Sequence, residues 1–406
     1  MYTIRMSKIR ILHIVHASFP SQSGYVIRTE NILNAIIDKD LTIDVVGGIF
    51  AKRLEQTTRG SQFVKNERQY YQLLNPTLIK VLSLLNRIPV LGRLLRYIEI
   101  LLNSVLISLT LKIKDYDVIH GHSSYRNGLS AFILSKIFQK PFVYDIHALT
   151  IDALEKNTIG YKIGYFAERL LIENANALIV IDDNLCDSIK REFDIQHKAI
   201  YVAPNGISSD VFKMKKPGII TKEIAIVPKN KFLIGIDNSK PIEGFGIVRK
   251  KLDYILEMLP DIHFVVFADK SASKDLPGMT FLPKLPVNKM PEFYSDLELF
   301  IMPRPKNTQS DTITPLKVLE LMSCETLVIV NDVGGLTHCI KHNVTGFVLN
   351  DLSVHEIIES IKFALSYGDK KTLTRQARQW VIANKSWADS AQKYNDCYRN
   401  VLISNN

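Results

Sequence analysis

Residues 302–348 read MPRPKNTQSDTITPLKVLELMSCETLVIVNDVGGLTHCIKHNVTGFV. The stretch opens at the end of one apolar run, carries a helical pattern over 315–323, and continues through a second apolar run over 327–330 to the pair Gly334–Gly335. Apolar run, helix, apolar run is the βαβ signature of a parallel sheet. Proline suits the first turn of a helix, where its missing N–H leaves nothing unpaired, so Pro315 predicts the helix start and the Thr314 hydroxyl can cap it. Free N–H groups and the positive dipole end make such a start an anion site. Arg304 and Lys317 add positive charge there, and the Glu320 carboxylate, on an otherwise apolar run, can accept two hydrogen bonds from a ribose diol. Gly334 and Gly335 would let the backbone approach a ligand closely. Taken singly, each feature reads as well as surface charge or a turn. Their order along one βαβ unit points to a bound nucleotide diphosphate.

The same alternation extends in both directions. Strand-like runs lie at 10–17, 42–47, 117–120, 142–146, 177–181 and 199–202, with helical patterns at 25–37, 127–138, 161–174 and 184–192. The pattern restarts after Phe212, with strands at 232–236, 263–268, 280–282, 299–302, 327–330 and 346–349 and helices at 247–258, 290–294, 315–323 and 354–365. Residues 213–231 are polar and proline-punctuated and read as a linker. The predicted fold is therefore α/β: two Rossmann-like domains facing each other across a cleft, with a C-terminal helix crossing back. Residues 1–212 would form the acceptor-side domain, 213–385 the nucleotide-sugar domain, and 386–406 a helix packing back on the first. Ligands of such sheets sit at the carboxyl ends of the strands.

Composition narrows the setting. A chain of 406 residues, 23% charged and 46% apolar, suits two well-cored domains rather than disorder. Its four cysteines include no C-x-x-C pair, which fits a reducing, cytoplasmic compartment. No apolar stretch is long enough to cross a bilayer, so the protein is expected to be soluble or peripheral on the inner face of the cytoplasmic membrane. The net charge of +10 is concentrated: residues 51–114 hold eleven Lys or Arg against three acids. Within 76–114 two helices are broken at Pro89. In the second, Leu91, Leu94, Leu95, Ile98, Leu101, Leu102 and Val105 form an apolar face, with Arg93, Arg96, Glu99 and Asn103 on the other side. Such a helix either lies on an anionic lipid surface or packs its leucines on the core, and spacing leaves both readings open. No nucleic-acid motif accompanies the basic segment, so nucleic acid is not an expected partner.

The run TPLKVLELMSCETLVIVNDVGGLTHCIKHNVTGFVL resembles the nucleotide-sugar site of the family 4 retaining glycosyltransferases, the two-Rossmann (GT-B) class. FPSQSGYVIRTENIL, DVIHGHSSYRNGLSAFILSK, PFVYDIHAL, APNGISSDVF and KSWADSAQKY resemble further elements of that family, so the likeness spans nearly the whole chain. The resemblance implies retaining transfer of a hexose or N-acetylhexosamine from a nucleotide-diphosphate sugar to a glycan or lipid-linked acceptor in bacterial surface polysaccharide synthesis. It further implies no cofactor and no bound metal. Carried over, Gly24 faces the donor phosphates and reacting sugar, His122 is the active-site histidine, and Glu320 holds the ribose. Thr314, Pro315 and Lys317 form the phosphate-facing helix start beside Arg304, Lys240 is a further donor-side cation, and Asn205 with Gly206 marks the crossing between domains.

The chain departs from the family pattern at three positions. Thr312 stands where many members carry a first glutamate, and Asn238 and Glu243 stand where an Arg and a Lys usually meet the diphosphate. A non-catalytic sugar-nucleotide-binding partner of a transferase complex is the alternative these positions suggest. A dinucleotide oxidoreductase would need G-x-G-x-x-G after a first strand, and neither HASFPSQSG nor IGIDNSKPIEGFG supplies it. His120, His122 and His147 all fall at predicted strand ends. Convergence at one sheet edge reads as a site, with Asp145 the only carboxylate near enough to suggest a metal.

Overall fold

The computed structural model describes residues 8–17, 23–38, 40–49, 62–74, 76–85, 88–218, 227–228, 230–267, 276–282 and 285–404. They belong to two compact units, Met1–Pro204 with Trp387–Asn406, and Asn205–Ser386. The division falls ahead of the expected boundary after Phe212, and packing explains it. Ile207 and Phe212 are buried in the core of the second unit with Val318, Leu321 and Met322, and Ser323 Oγ donates to the Phe212 carbonyl. Of the expected linker, Lys215 N donates to Ser295 Oγ, which ties it to the second unit; 219–226 and 229 lie outside the described residues.

The strands of the first unit are β1 (Ile9–Val15), β2 (Leu41–Gly47), β3 (Gln62–Lys65), β4 (Arg68–Gln72), β5 (Val118–His122), β6 (Phe142–Ile146), β7 (Ala177–Val180) and β8 (Ile200–Val202). They form one sheet in the order β3-β4-β2-β1-β5-β6-β7-β8, parallel except for the β3–β4 hairpin. That hairpin was not expected: QFVK and RQYYQ are short and polar, and they turn through Asn66 and Glu67, both at positive φ. Tyr70 anchors it by donating to Glu30. The central strands β5, β6 and β7 are buried along their length, as a sheet covered on both faces requires.

The C-terminal helix Trp387–Ser404 completes this unit. It buries Trp387, Ala391, Tyr394, Tyr398 and Val401, one stripe at helical spacing, against β7, β8 and the helix Gly24–Ala35. Ser390 Oγ donates to the Pro204 carbonyl.

The helix Pro89–Thr110 is turned opposite to one expectation. Glu99 and Asn103, assigned to an outer polar stripe, are buried. Asn103 Oδ1 accepts from Ile49 N, and Glu99 Oε2 lies 3.4 Å from Arg126 Nη1. Polar groups with partners can be buried at little cost, and the outward positions are left to Ile98, Leu101, Leu102, Val105 and Leu109. The side chains of Leu91, Arg93, Leu94 and Arg96 lie outside the described residues, as do Lys52, Arg53, Arg59 and Arg87. Among the described residues no helix is long and apolar enough to cross a membrane.

The second unit carries β9 (Phe232–Asp237), β10 (Ile262–Phe267), β11 (Met279–Leu282), β12 (Leu299–Met302), β13 (Val328–Asn331) and β14 (Phe347–Leu349). They form a parallel sheet ordered β11-β10-β9-β12-β13-β14. The helix expected over 247–258 is two pieces, Phe245–Arg249 and Leu252–Met258, divided at Lys250–Lys251. Lys251 leaves helical geometry and sends its ammonium to the Leu352 carbonyl.

Candidate active site

In the second unit, neighbouring strands β9 and β12 bring Asp237 and Arg304 to the same sheet edge. The loop after β9 closes on the loop after β12 at Gly244. Its φ is +83°, and a Cβ there would lie 1.8 Å from the Pro303 carbonyl oxygen, so only glycine fits. Arg304 is buried. Its Nη1 donates to Ile313 O at 3.3 Å, its Nη2 lies 3.6 Å from Glu243 Oε1, and burial lowers its pKa against the pull of Glu243 and Asp237. Arg304 Nε and Glu243 Oε2 are buried atoms with no hydrogen-bond partner among the described residues. Lys317 pairs with Asp237 and sits 5.3 Å from the centre of the Phe267 ring. Glu320 is half-buried, and burial raises its pKa despite the Tyr294 hydroxyl, which donates to Oε2 at 2.8 Å, and the charge of Lys317.

One expectation is corrected here. The helix begins at Leu316 with Pro315 itself as the N-cap residue, extended at ψ 143° and with no side-chain cap, so Thr314 stands one residue before the cap position. Thr314 instead offers its carbonyl to Asn205 Nδ2 at 2.8 Å. Gly334 and Gly335 are held by the protein's own packing. Gly334 N donates to Asp311 Oδ1, and a Cβ on Gly335 would lie 2.2 Å from Ile313 O and 2.6 Å from Ser310 O. The hydroxyl of Thr312 donates back to Thr308 O. Lys240 is exposed, at the start of the turn Pro241–Glu243.

In the first unit, register brings the histidines together. His13 on β1 is opposite His120 on β5, and His122 on β5 is opposite Asp145 on β6. His13 Nδ1 and His122 Nε2 are 2.9 Å apart, and Tyr398 Oη lies 2.9 Å from His13 Nε2 and 2.7 Å from His120 Nδ1. Tyr394 Oη donates to Asp145 Oδ2 at 2.5 Å, and His147 Nε2 reaches the same oxygen at 3.0 Å. Burial lowers the pKa of all four histidines, that of His120 to about 4. Burial alone would raise the Asp145 carboxyl, but His147 first, with His120 and His122 close by, holds it well below the usual carboxylate range. His122 is enclosed, whereas His147 keeps 13% of its side chain exposed. Gly24 opens the helix Gly24–Ala35 with Ser23 Oγ capping Val26 N; residues 18–22 before it lie outside the described residues. The next residue, Tyr25, stands beside His16, His122 and His147. Two groupings, His13–His120–His122 and His122–Asp145–His147, have ligand atoms within 4.8 Å of one another, a spacing that a metal could use.

Sequence reasoning missed His13, Tyr394 and Tyr398 around the histidines, and Asp237 and Tyr294 in the second unit. A histidine inside the apolar strand HIV was the available signal for His13, since a buried imidazole needs partners. Tyr394 and Tyr398 come from 249 or more positions away and carried no local signal.

Comparison with known proteins accounts for both halves. Residues 57–211 match the family model Glycosyltransferase Family 4, and residues 266–385 match Glycosyl transferases group 1. The chain belongs to the family 4 glycosyltransferases. This transferase is 26% identical to alpha-maltose-1-phosphate synthase of Mycolicibacterium smegmatis over 70% of the chain and 79% of that protein. It is 21% identical to the Escherichia coli UDP-Gal:alpha-D-GlcNAc-diphosphoundecaprenol alpha-1,3-galactosyltransferase over 78% and 84%. Its fold is that of sucrose-phosphate synthase from Thermosynechococcus elongatus, with a TM-score of 0.73, 16% identity and coverage of 98% and 100%. Anabaena HepE, solved with UDP-glucose, gives a TM-score of 0.68 at 15% identity over 97% and 100%.

Proposed function

We propose that the transferase takes a hexose or N-acetylhexosamine from a UDP or GDP sugar and passes it, without bound metal, to a lipid-linked glycan in bacterial surface polysaccharide synthesis. The observation that carries the donor assignment is the grouping of Glu320, Lys317 and Arg304 at one sheet edge beside a helix start with no side-chain cap. Glu320, steadied by Tyr294, binds the ribose diol. The Leu316–Ser323 helix start, Lys317 and Arg304 receive the diphosphate, with exposed Lys240 as a further donor-side cation. The buried, unpartnered Arg304 Nε supports this role, because an uncompensated donor is costly unless a ligand satisfies it. Asn205 supports the loop before that helix through the Thr314 carbonyl. Gly24 and His122 belong to the acceptor-side unit.

A second reading has its own observation. Asp237 and Glu243 already neutralise Lys317 and Arg304 in part, which weakens support for a leaving diphosphate and suits a subunit that binds sugar nucleotide without turning it over. Nucleotide release from UDP- and GDP-sugars, measured with an undecaprenyl-diphosphate-linked acceptor, separates the two. Release that depends on acceptor supports transfer; binding with no release supports the subunit.

The lipid acceptor is proposed from the E. coli relative, which acts on an alpha-D-GlcNAc-diphosphoundecaprenol, and from the turned helix Pro89–Thr110. Its outward Ile98, Leu101, Leu102, Val105 and Leu109, like Leu78, Val81 and Leu84 of Pro76–Leu85, are exposed in a segment rich in Lys and Arg. An apolar patch with basic surroundings fits an anionic bilayer on the cytoplasmic side. Flotation with phosphatidylglycerol vesicles, and its loss in Leu101→Glu/Leu109→Glu, is the expected result; equal flotation of the variant removes this part.

A further inference from the structure

Asp145 Oδ2 gathers Tyr394 Oη at 2.5 Å, His147 Nε2 at 3.0 Å and His122 Nδ1 at 3.2 Å, with His120 Nε2 beyond hydrogen-bond reach at 3.8 Å. A carboxylate only accepts, so His147 carries its proton on Nε2. His122 Nδ1 stands off the line of a good hydrogen bond, yet at that distance a lone pair there would face the anion, so His122 carries its proton on Nδ1. Its Nε2 is then an acceptor, and His13 Nδ1 must donate to it. Neutral His13 therefore presents a bare Nε2, which takes the Tyr398 proton. Tyr398 has only one proton, so its oxygen accepts from His120 Nδ1. His120 Nε2 is left bare and buried without a hydrogen-bond partner. The order of donors runs one way because the carboxylate sits nearer to His122 than to His120.

We propose that Tyr394 and Tyr398 make the C-terminal helix Trp387–Ser404 a positioning element of the first unit, ordering the protons of the histidine cluster so that His147 presents Nδ1 as a hydrogen-bond acceptor to a substrate hydroxyl. Among the described residues no hydrogen bond engages His147 Nδ1. His13, His120 and His122 are fully enclosed, whereas His147 reaches the surface. The substrate hydroxyl rests on the transferase reading; the proton order does not. The groups facing His147 are Asp145 on β6, His120 and His122 on β5, Tyr25 and Arg28 on Gly24–Ala35, and Tyr394 through Asp145.

The test is the long-range proton–nitrogen NMR spectrum of histidine-labelled full chain, read without substrate. In the wild type His147 is expected with its proton on Nε2 and a bare Nδ1; a proton on Nδ1 overturns the proposal with no variant needed. Tyr394→Phe removes one donor from Asp145 and leaves more of its charge to His147. The proton affinity of His147 should then rise about tenfold, an upward move of about one pH unit in its titration. An unmoved titration in a variant with unchanged circular dichroism overturns the role of Tyr394. Tyr398→Phe should change the tautomer of His13 or His120, and unchanged tautomers overturn the role of Tyr398. A purely structural tyrosine would lower the melting temperature and leave titration and tautomers where they were. Failure of donor binding would leave every one of these readings intact, so the two claims fail separately.

Discussion

The two units solve the same problem, holding polar groups inside a parallel sheet edge, in different ways. The first surrounds a single carboxylate, Asp145, with neutral imidazoles and tyrosine hydroxyls. The second sets cations against anions, Lys317 on Asp237 and Arg304 by Glu243, and keeps Glu320 beside a tyrosine. A neutral network answers mainly to pH, because each imidazole is one proton from an uncompensated buried charge. Paired charges answer to whatever ion can compete for them, and a diphosphate competes for both cations. On the reading proposed above, the contrast separates a unit built for orientation from one built for an anionic ligand.

The comparison can be broken at several points. Gly244→Ala should cause the largest loss, more than about 3 kcal/mol, since it adds both a backbone overlap and a positive φ to a non-glycine residue. Hydrogen exchange should place that loss in the second unit; protection lost equally in the first would contradict the independence of the two sites. Acidification should strike the other way. The folded-state pKa of His120, about 4, lies below its unfolded value, so the buried neutral ring contributes stability that is present above about pH 6.5 and lost as pH falls toward 4. About 3 kcal/mol should leave the first unit across that window, and amide exchange in β5 and β6 measured at pH 7 and 4.5 would show it. An unchanged exchange rate there would mean the histidines are already charged or not enclosed.

Smaller effects sharpen the contrast. Tyr294→Phe leaves Glu320 without its donor and should weaken nucleotide affinity about tenfold, roughly 1.4 kcal/mol, with little change in melting temperature. Titration calorimetry checks this, and unaltered affinity would mean that Glu320 does not depend on its partner. Leu101→Glu should change stability by less than about 0.5 kcal/mol, because the side chain it replaces is 62% exposed. A large drop in chemical-denaturation midpoint would show the helix packed the other way.

Much of this was legible along the chain and some of it was not. Strands such as Ala177–Val180 and Leu299–Met302 fell where continuous apolar runs put them, because a strand buried on both faces has no polar alternation to blur its ends. The β3–β4 hairpin was missed because an edge hairpin needs little apolar content. Glu320, Lys317 and Arg304 were readable since one βαβ unit holds them all. Their partners Asp237 and Glu243 lie about 60 to 80 positions earlier and meet them only through sheet order. The inward turn of Glu99 and Asn103 was hidden for a related reason: helical spacing separates two faces but does not say which one the core takes.

The central claim is that the second unit binds a sugar nucleotide through Glu320. Calorimetric titration of UDP, GDP and their common sugar conjugates into the wild type and Glu320→Ala tests it most directly. The account predicts tight binding of one nucleotide by the wild type and loss of about 2 kcal/mol, roughly thirtyfold in affinity, in the variant. No binding of any of them by the wild type, or equal binding by both proteins, would contradict it.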